Sequence, residues 1–248
     1  MIRFLTLLIC LIPLSFLKPV LLNLIGHNIS LKARIGFSIV AIGKMKIGDG
    51  SRIGNFNFLK FDYLEMSSNA IIGRFNFLRG NFIVLLKEKS AIGNSCVITR
   101  AGKGVSYGKS ALNLGVLAKI TAGHKIDMMR SINLGDFSII AGSHSQLWTH
   151  GYLHAPTGPD RFRIDGEINI GNNVYVGSSC VINAGVYVAD GITIGSSSCI
   201  SKNLTKSGMY VAQPLRYIEK DYEDSKKKLK KINLDGLVEE VYEKPSKG

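Results

Sequence analysis

Acidic residues are scarce in this chain: 18 Asp and Glu stand against 31 Lys and Arg, a formal charge of +13 over 248 residues. Such an excess favours an anionic partner. No recognised nucleic-acid-binding module accompanies it, which turns the reading from DNA or RNA toward coenzyme phosphates or phospholipid head groups. Cysteine is sparse too. Cys10, Cys96, Cys180 and Cys199 lie far apart with no C-x-x-C pair, which argues against a disulfide frame or a cysteine zinc site and for reduced packing residues in a cytoplasmic protein. Nor is there an unbroken apolar run of the ~20 residues that cross a bilayer. Residues 4–17 are apolar but contain Pro13, and Lys18-Pro19 separates them from the apolar residues 20–25. No small-x-small cleavage site precedes Lys18, so a signal peptide is not supported. Two readings of residues 1–29 stay open. One is an interfacial anchor, with Arg3, Lys18, Lys32 and Arg34 facing anionic lipid on the inner face of the cytoplasmic membrane. The other is a helical cap on the open end of the fold. The anchor is favoured because the run is more hydrophobic than a cap requires.

What the chain does have is a repeat. From 164 to 205 it reads in sixes opened by Ile164, Ile170, Val176, Ile182, Val188, Ile194 and Ile200, with Ile168, Val174, Cys180, Val186, Ile192, Ser198 and Leu204 at the fifth place. Apolar steps of four and two do not hold one face of a 3.6-residue spiral, so a helix is excluded. Positions five and one are two apart and share a face of an extended segment. The Gly, Asn, Asp and Ser between them suit tight corners. The pattern predicts an all-β parallel solenoid with inward Ile and Val stacked coil on coil.

A looser version begins near residue 35, marked by Ile35-Gly36, Ile53-Gly54, Ile72-Gly73, Ile92-Gly93, Leu114-Gly115 and Leu134-Gly135, in steps of 18, 19, 20, 22 and 20 residues. Three sixes make one coil, with extra residues bulged at corners. The solenoid domain is therefore set at 30–218, with a loop inserted at 141–163. That loop holds three of the five histidines, His144, His150 and His154, and the single tryptophan, Trp148, and a long loop on a rigid scaffold is where binding and catalysis concentrate. The stretch Thr99-Arg-Ala-Gly-Lys-Gly104 reads as an irregular corner. Residues 219–248 form a charged tail, with Leu229, Ile232 and Leu237 available to one face of a helix.

The sixes, the loop and the segment running from Ile170-Gly-Asn-Asn-Val-Tyr-Val-Gly-Ser178 through Ser201-Lys202 to Pro214-Leu-Arg216 resemble the hexapeptide-repeat acyltransferases, especially their sugar O-acetyltransferase branch. The resemblance covers most of residues 30–218. It implies a left-handed parallel β-helix, with an N-terminal apolar helical segment and a C-terminal helical tail beside it here. The hand comes from the family, since parallel crossovers are ordinarily right-handed. The resemblance also implies a homotrimer that uses acetyl-CoA as co-substrate, needs no metal, and acts on a sugar or lipid-linked glycan of a bacterial surface polysaccharide. A loop histidine would serve as general base, taking the acceptor hydroxyl's proton near neutral pH. His150, in Trp-Thr-His-Gly, best matches the family's spacing; His144 and His154 are the alternatives. Ser178, Ser196, Ser201, Lys202 and Arg216 map to the coenzyme groove, the last two offering charge to phosphates. Trp148 either stacks on a sugar or packs the loop. His27 and His124 are read as structural. Ala212-Gln-Pro214-Leu215 and Ser196 depart from the family's usual Gly-x-Pro-Ala and Ala, which bears on the contacts more than on the fold.

Two other functions share the repeat. A hydratase like the gamma-class carbonic anhydrases requires three imidazoles converging on zinc, and the spacing of His124, His144 and His150 does not match that family. A noncatalytic membrane-attached scaffold requires no site at all.

Overall fold

The computed structural model describes residues 1–212, 222–237 and 240–244. The chain winds as a left-handed parallel β-helix, whose three faces are parallel sheets of eight, nine and eight strands. Successive coils add one short strand to each sheet, mostly two to four residues long and with alternating burial, as the repeat requires. Ile35, Ile53, Ile72, Ile92, Ile120, Ile140, Val176 and Ile194 pair in register along the second sheet as one continuous ladder. Each is at most 2% exposed. This column, with its counterparts from the other two faces, is the core.

The looser markers span two sheets. Leu114 and Leu134 lie in the first sheet, between Leu86 and Ile170, whereas the first four markers belong to the second. Along the second-sheet ladder the steps are 18, 19, 20, 28, 20, 36 and 18 residues. The two long steps are excursions from the same edge, between the third sheet and the first. One spans residues 100–110. The other leaves the coil after Gln146–Leu147 and forms an antiparallel hairpin of His150–His154 and Arg161–Asp165. Ile164, which opens the first of the sixes, is thus a hairpin residue paired with Gly151 and not an inward coil position.

At the corner after the second sheet the coils come so close that side chains are excluded. A Cβ at Gly73 would collide with the Gly93 carbonyl and the Asn94 side chain. Gly73→Ala is therefore expected to destabilise the fold by about 1–3 kcal/mol, the usual range for overpacking, read as a lower denaturant midpoint. An unchanged midpoint would show that the corner can relax.

Helices at Ile2–Cys10 and Lys18–Leu24 pack across the first coil. Cys10 and Leu22 enter the core, and the fully buried Lys18 donates through Nζ to the carbonyls of Cys10 and Gly36 at 2.7 and 2.6 Å. Burial pushes the Cys10 thiol up to about 12. The outward side of this layer is apolar, with Phe4 64% and Leu24 78% exposed. Among the described residues no helix is long and apolar enough to cross a membrane. Cys96 and Cys180 are buried as packing residues, but Cys199 is exposed on the third sheet.

The tail helix is short, Tyr222–Lys227, so Leu229, Ile232 and Leu237 do not share a helical face. Ile232 instead ends the strand Lys230–Ile232, which pairs with Val241–Glu243, and Val241–Glu243 in turn pairs parallel with the hairpin arm Arg163–Asp165. Leu153, Phe162 and Tyr242 form a small second core between hairpin and tail. The tail therefore holds the hairpin in place.

Candidate active site

Alternation along Trp148-Thr149-His150 decides the site. Thr149 turns inward and is fully buried, so its neighbours point outward from the base of the hairpin. His150 is 24% exposed in its side chain, and its Nδ1 lies 2.9 Å from Asp127 Oδ2 on the preceding coil. A carboxylate only accepts, so Nδ1 donates, and in the neutral ring Nε2 keeps its lone pair. The same Asp127 oxygen accepts from Thr149 Oγ1 at 2.5 Å and from the Thr149 and Met129 backbone N–H groups at 3.1 and 3.5 Å. With so many donors its orientation is fixed, and through it the orientation of the imidazole. The hydrogen bond that His150 donates to Asp127 raises the His150 pKa above its ordinary value, burial opposes the rise, and the charges of Asp127 and Asp165 add to it.

Trp148 stands edge-on to His150 at 6.3 Å, and Tyr152 at 5.9 Å on the other side. The indole N–H donates to Gln146 Oε1 at 3.0 Å, and the Lys125 ammonium lies 5.2 Å from the ring centroid. Within the second arm of the hairpin, Arg163 and Asp165, both fully buried, form a paired contact at 2.8 and 3.2 Å. Burial raises the Asp165 carboxyl above its usual range, with Arg163 opposing. Arg130 ties this base to the tail through Glu243 at 2.5 Å.

The remaining histidines are occupied elsewhere. His144 lies in the corner between the second and third sheets, with Nδ1 2.7 Å from Ser143 Oγ. His154 is exposed toward the far end of the hairpin, paired with Arg161. His124 is buried between Thr121 Oγ1 and the Ser145 N–H, and His27 between Thr6 Oγ1 and the Met45 N–H. The three imidazoles required by the hydratase reading thus do not converge, and among the described residues no group of three or more His, Cys, Asp and Glu is arranged to hold a metal.

The residues mapped to the coenzyme groove fall on two edges. Ser178 and Ser196 stack in the corner that also holds His144, where the Ser197 N–H donates to the Ser178 carbonyl at 2.8 Å. Ser201 and Lys202 are exposed just past the end of the third sheet, on the edge from which the His150 hairpin leaves. The structure thus brings Ser201 and Lys202 to the His150 edge and leaves Ser178 and Ser196 on the opposite one. Arg216, with Pro214 and Leu215, lies outside the described residues.

Sequence reasoning missed Asp127, Arg130 and the Arg163–Asp165 pair. A signal for Asp127 existed: it directly follows Ile126, whose third-sheet partner is Leu147, the residue before Trp148. Aligning the coils would have set a carboxylate beside the Trp-Thr-His run.

The coil is a left-handed parallel β-helix, and several of the chain's partial likenesses to known proteins are to acetyltransferases. No protein-family model matches the chain. It is 34% identical over 65 residues to a chloramphenicol acetyltransferase of Morganella morganii, a match covering 26% of this chain and 31% of that protein. It is also 31% identical over 88 residues to the galactoside O-acetyltransferase of Escherichia coli (strain K12), covering 36% of this chain and 43% of that one. The chain thus matches less than half the length of either relative. Among solved structures, a polysialic acid O-acetyltransferase aligns with a TM-score of 0.47 at 14% identity, over 80% of this chain and 91% of the other.

Proposed function

We propose that this protein is an acetyl-CoA-dependent O-acetyltransferase that acts on a sugar hydroxyl of a bacterial surface polysaccharide or its lipid-linked precursor. The observation that carries this reading is the His150–Asp127 pair, which presents an unprotonated Nε2 beside the exposed edge of the coil. As the acceptor oxygen attacks the thioester carbonyl, Nε2 takes the hydroxyl proton. As the C–S bond breaks, the imidazolium returns that proton to the departing thiolate of coenzyme A. Asp127 does not transfer a proton; it holds the ring and stabilises its charged form. Backbone N–H groups at the coil corner would stabilise the oxyanion. Ser201 and Lys202, on the same edge, are the best-supported coenzyme contacts. Ser178 and Ser196 join them only if a second copy of the chain supplies that edge, as in the homotrimer this reading includes.

The likeness to galactoside O-acetyltransferase supports a sugar acceptor. Peripheral attachment to the inner face of the membrane is part of the proposal, supported by the apolar outer side of the N-terminal helices and by the lack of any acidic residue before Asp49. The direct test incubates the purified chain with acetyl-CoA and the producing organism's surface glycan. Acceptor-dependent thiol release with one acetyl group added per transfer is expected; release that does not depend on acceptor would sink the reading.

A further inference from the structure

Away from His150, between the first helix and the 100–110 excursion, a cleft of about 370 Å³ is lined by Arg3, Lys60, Phe77, Arg79, Thr99 and Arg100. Among the described residues only one of its four cations is in an ion pair, Arg3 with Asp62 at 2.8 Å. Lys60 and Arg79 are exposed register partners on adjacent strands of the third sheet, about 4.8 Å apart along the coil axis. Arg100 is buried; its terminal nitrogens donate to the neutral carbonyls of Asn81, Tyr107, Gly108 and Met129, and its Nε–H has no partner among the described residues. It shapes the excursion that forms one wall, and no described carboxylate pairs with it directly, although Asp62, Asp127 and Asp165 act on it at longer range. The irregular Thr99-Arg-Ala-Gly-Lys-Gly104 stretch thereby acquires a role.

We propose that this cleft is a phosphate subsite for the acceptor, taking the diphosphate of an activated glycan whose sugars run along the third sheet to His150. The inference rests on the glycan acceptor of the proposed function and deepens it. Two adjacent exposed cations above a third, buried one match two linked phosphates better than a single carboxylate, and a guanidinium fork suits phosphate oxygens. The cleft and the base's carboxylate partner share one ladder. Lys60, Arg79, Thr99 and Asp127 are successive partners in one ladder, so Arg79 lies about 10 Å along the axis from the carboxylate that holds His150. Ser201 and Lys202 lie on later coils. Donor and acceptor therefore approach His150 from opposite ends of the solenoid.

The test is calorimetric titration of the full chain with inorganic diphosphate, in wild type and in the double variant Lys60→Gln/Arg79→Gln. Both side chains are exposed, so the variant is expected to fold; a shifted thermal midpoint would move the comparison to the single variants. Saturable binding that weakens about 10-fold or more in the variant, and that excess coenzyme A does not displace, is the expected result. Absence of saturable binding, equal affinity in the variant, or displacement by coenzyme A would overturn the site. Tighter binding of uridine diphosphate or of farnesyl diphosphate than of inorganic diphosphate supports it and identifies a nucleotide-linked or a lipid-linked source. None of these readouts requires turnover. If acceptor-dependent thiol release is absent while diphosphate binding persists, the cleft is an anion site without a role in holding the acceptor.

Discussion

His150→Ala is expected to lower acceptor-dependent thiol release from acetyl-CoA by roughly 10²–10⁴-fold, the usual contribution of a positioned general base. His144→Ala and His154→Ala serve as controls and should retain most of the activity, because His144 faces another corner and His154 lies toward the outer end of the hairpin. Stability should be compared above neutral pH. The His150 pKa is raised in the folded protein, so its contact with Asp127 contributes stability that is fully present below about pH 6.5 and is lost as pH rises through the raised value. Above that value the alanine variant should differ from wild type only by the neutral hydrogen bond and the packing of the ring. Full activity in His150→Ala would eliminate it as the base.

Asp165→Ala is expected to be the most destabilising single change at the site, at about 3–5 kcal/mol, because it deprives the buried Arg163 guanidinium of its carboxylate partner. Against a typical total of about 5–15 kcal/mol, that is enough to loosen the hairpin, since Asp165 lies directly across from His150. The loss should appear as a lower denaturant midpoint and as faster hydrogen exchange at residues 150–154 and 161–165. A conservative double change, Arg163→Met with Asp165→Leu, should recover part of the stability by removing both charges together. If Asp165→Ala left both midpoint and exchange unchanged, the pair would not be what anchors the hairpin.

The solenoid was readable because its core follows a strict local rule. Ile170, Val176, Ile182, Val188, Ile194 and Ile200 recur without a break, and all six are buried. The early coils were harder, because one or two residues bulged at a corner shift the phase without altering the fold. The markers Leu114 and Leu134 consequently counted positions in a different sheet from Ile92. The hairpin was read as a loop although Arg161-Phe-Arg-Ile-Asp165 alternates, because its other arm, His150–His154, carries no such pattern and the Gly and Pro between them read as loop; a second core contributed by the tail stabilises it. The tail's strand partners lie some 80 residues away in sequence, and no local pattern reports such pairing.

The site divides in the same way. His150 was selected by family spacing, and its partner was not, because Asp127 and His150 meet only through coil-to-coil register and the turn at Thr149. The groove residues were treated as one set because the family resemblance places them along one groove, yet a three-sided coil places Ser178 and Ser201 on different edges. Counting the four unbroken blocks from Val176 to Ile200 separates the two corners, whereas relating either to His150 requires counting across the hairpin insertion.

The central claim is that a neutral His150, oriented and made more basic by Asp127, accepts the acceptor's proton. The pH dependence of kcat/KM for acceptor-dependent thiol release, in wild type and Asp127→Asn, tests it most directly. The rate should rise with pH as the imidazole loses its proton, with an inflection above about 6.5 in wild type. In Asp127→Asn that inflection should move to lower pH and the plateau should fall. An inflection that stays in place in Asp127→Asn, or a rate that declines as the imidazole deprotonates, would contradict the account.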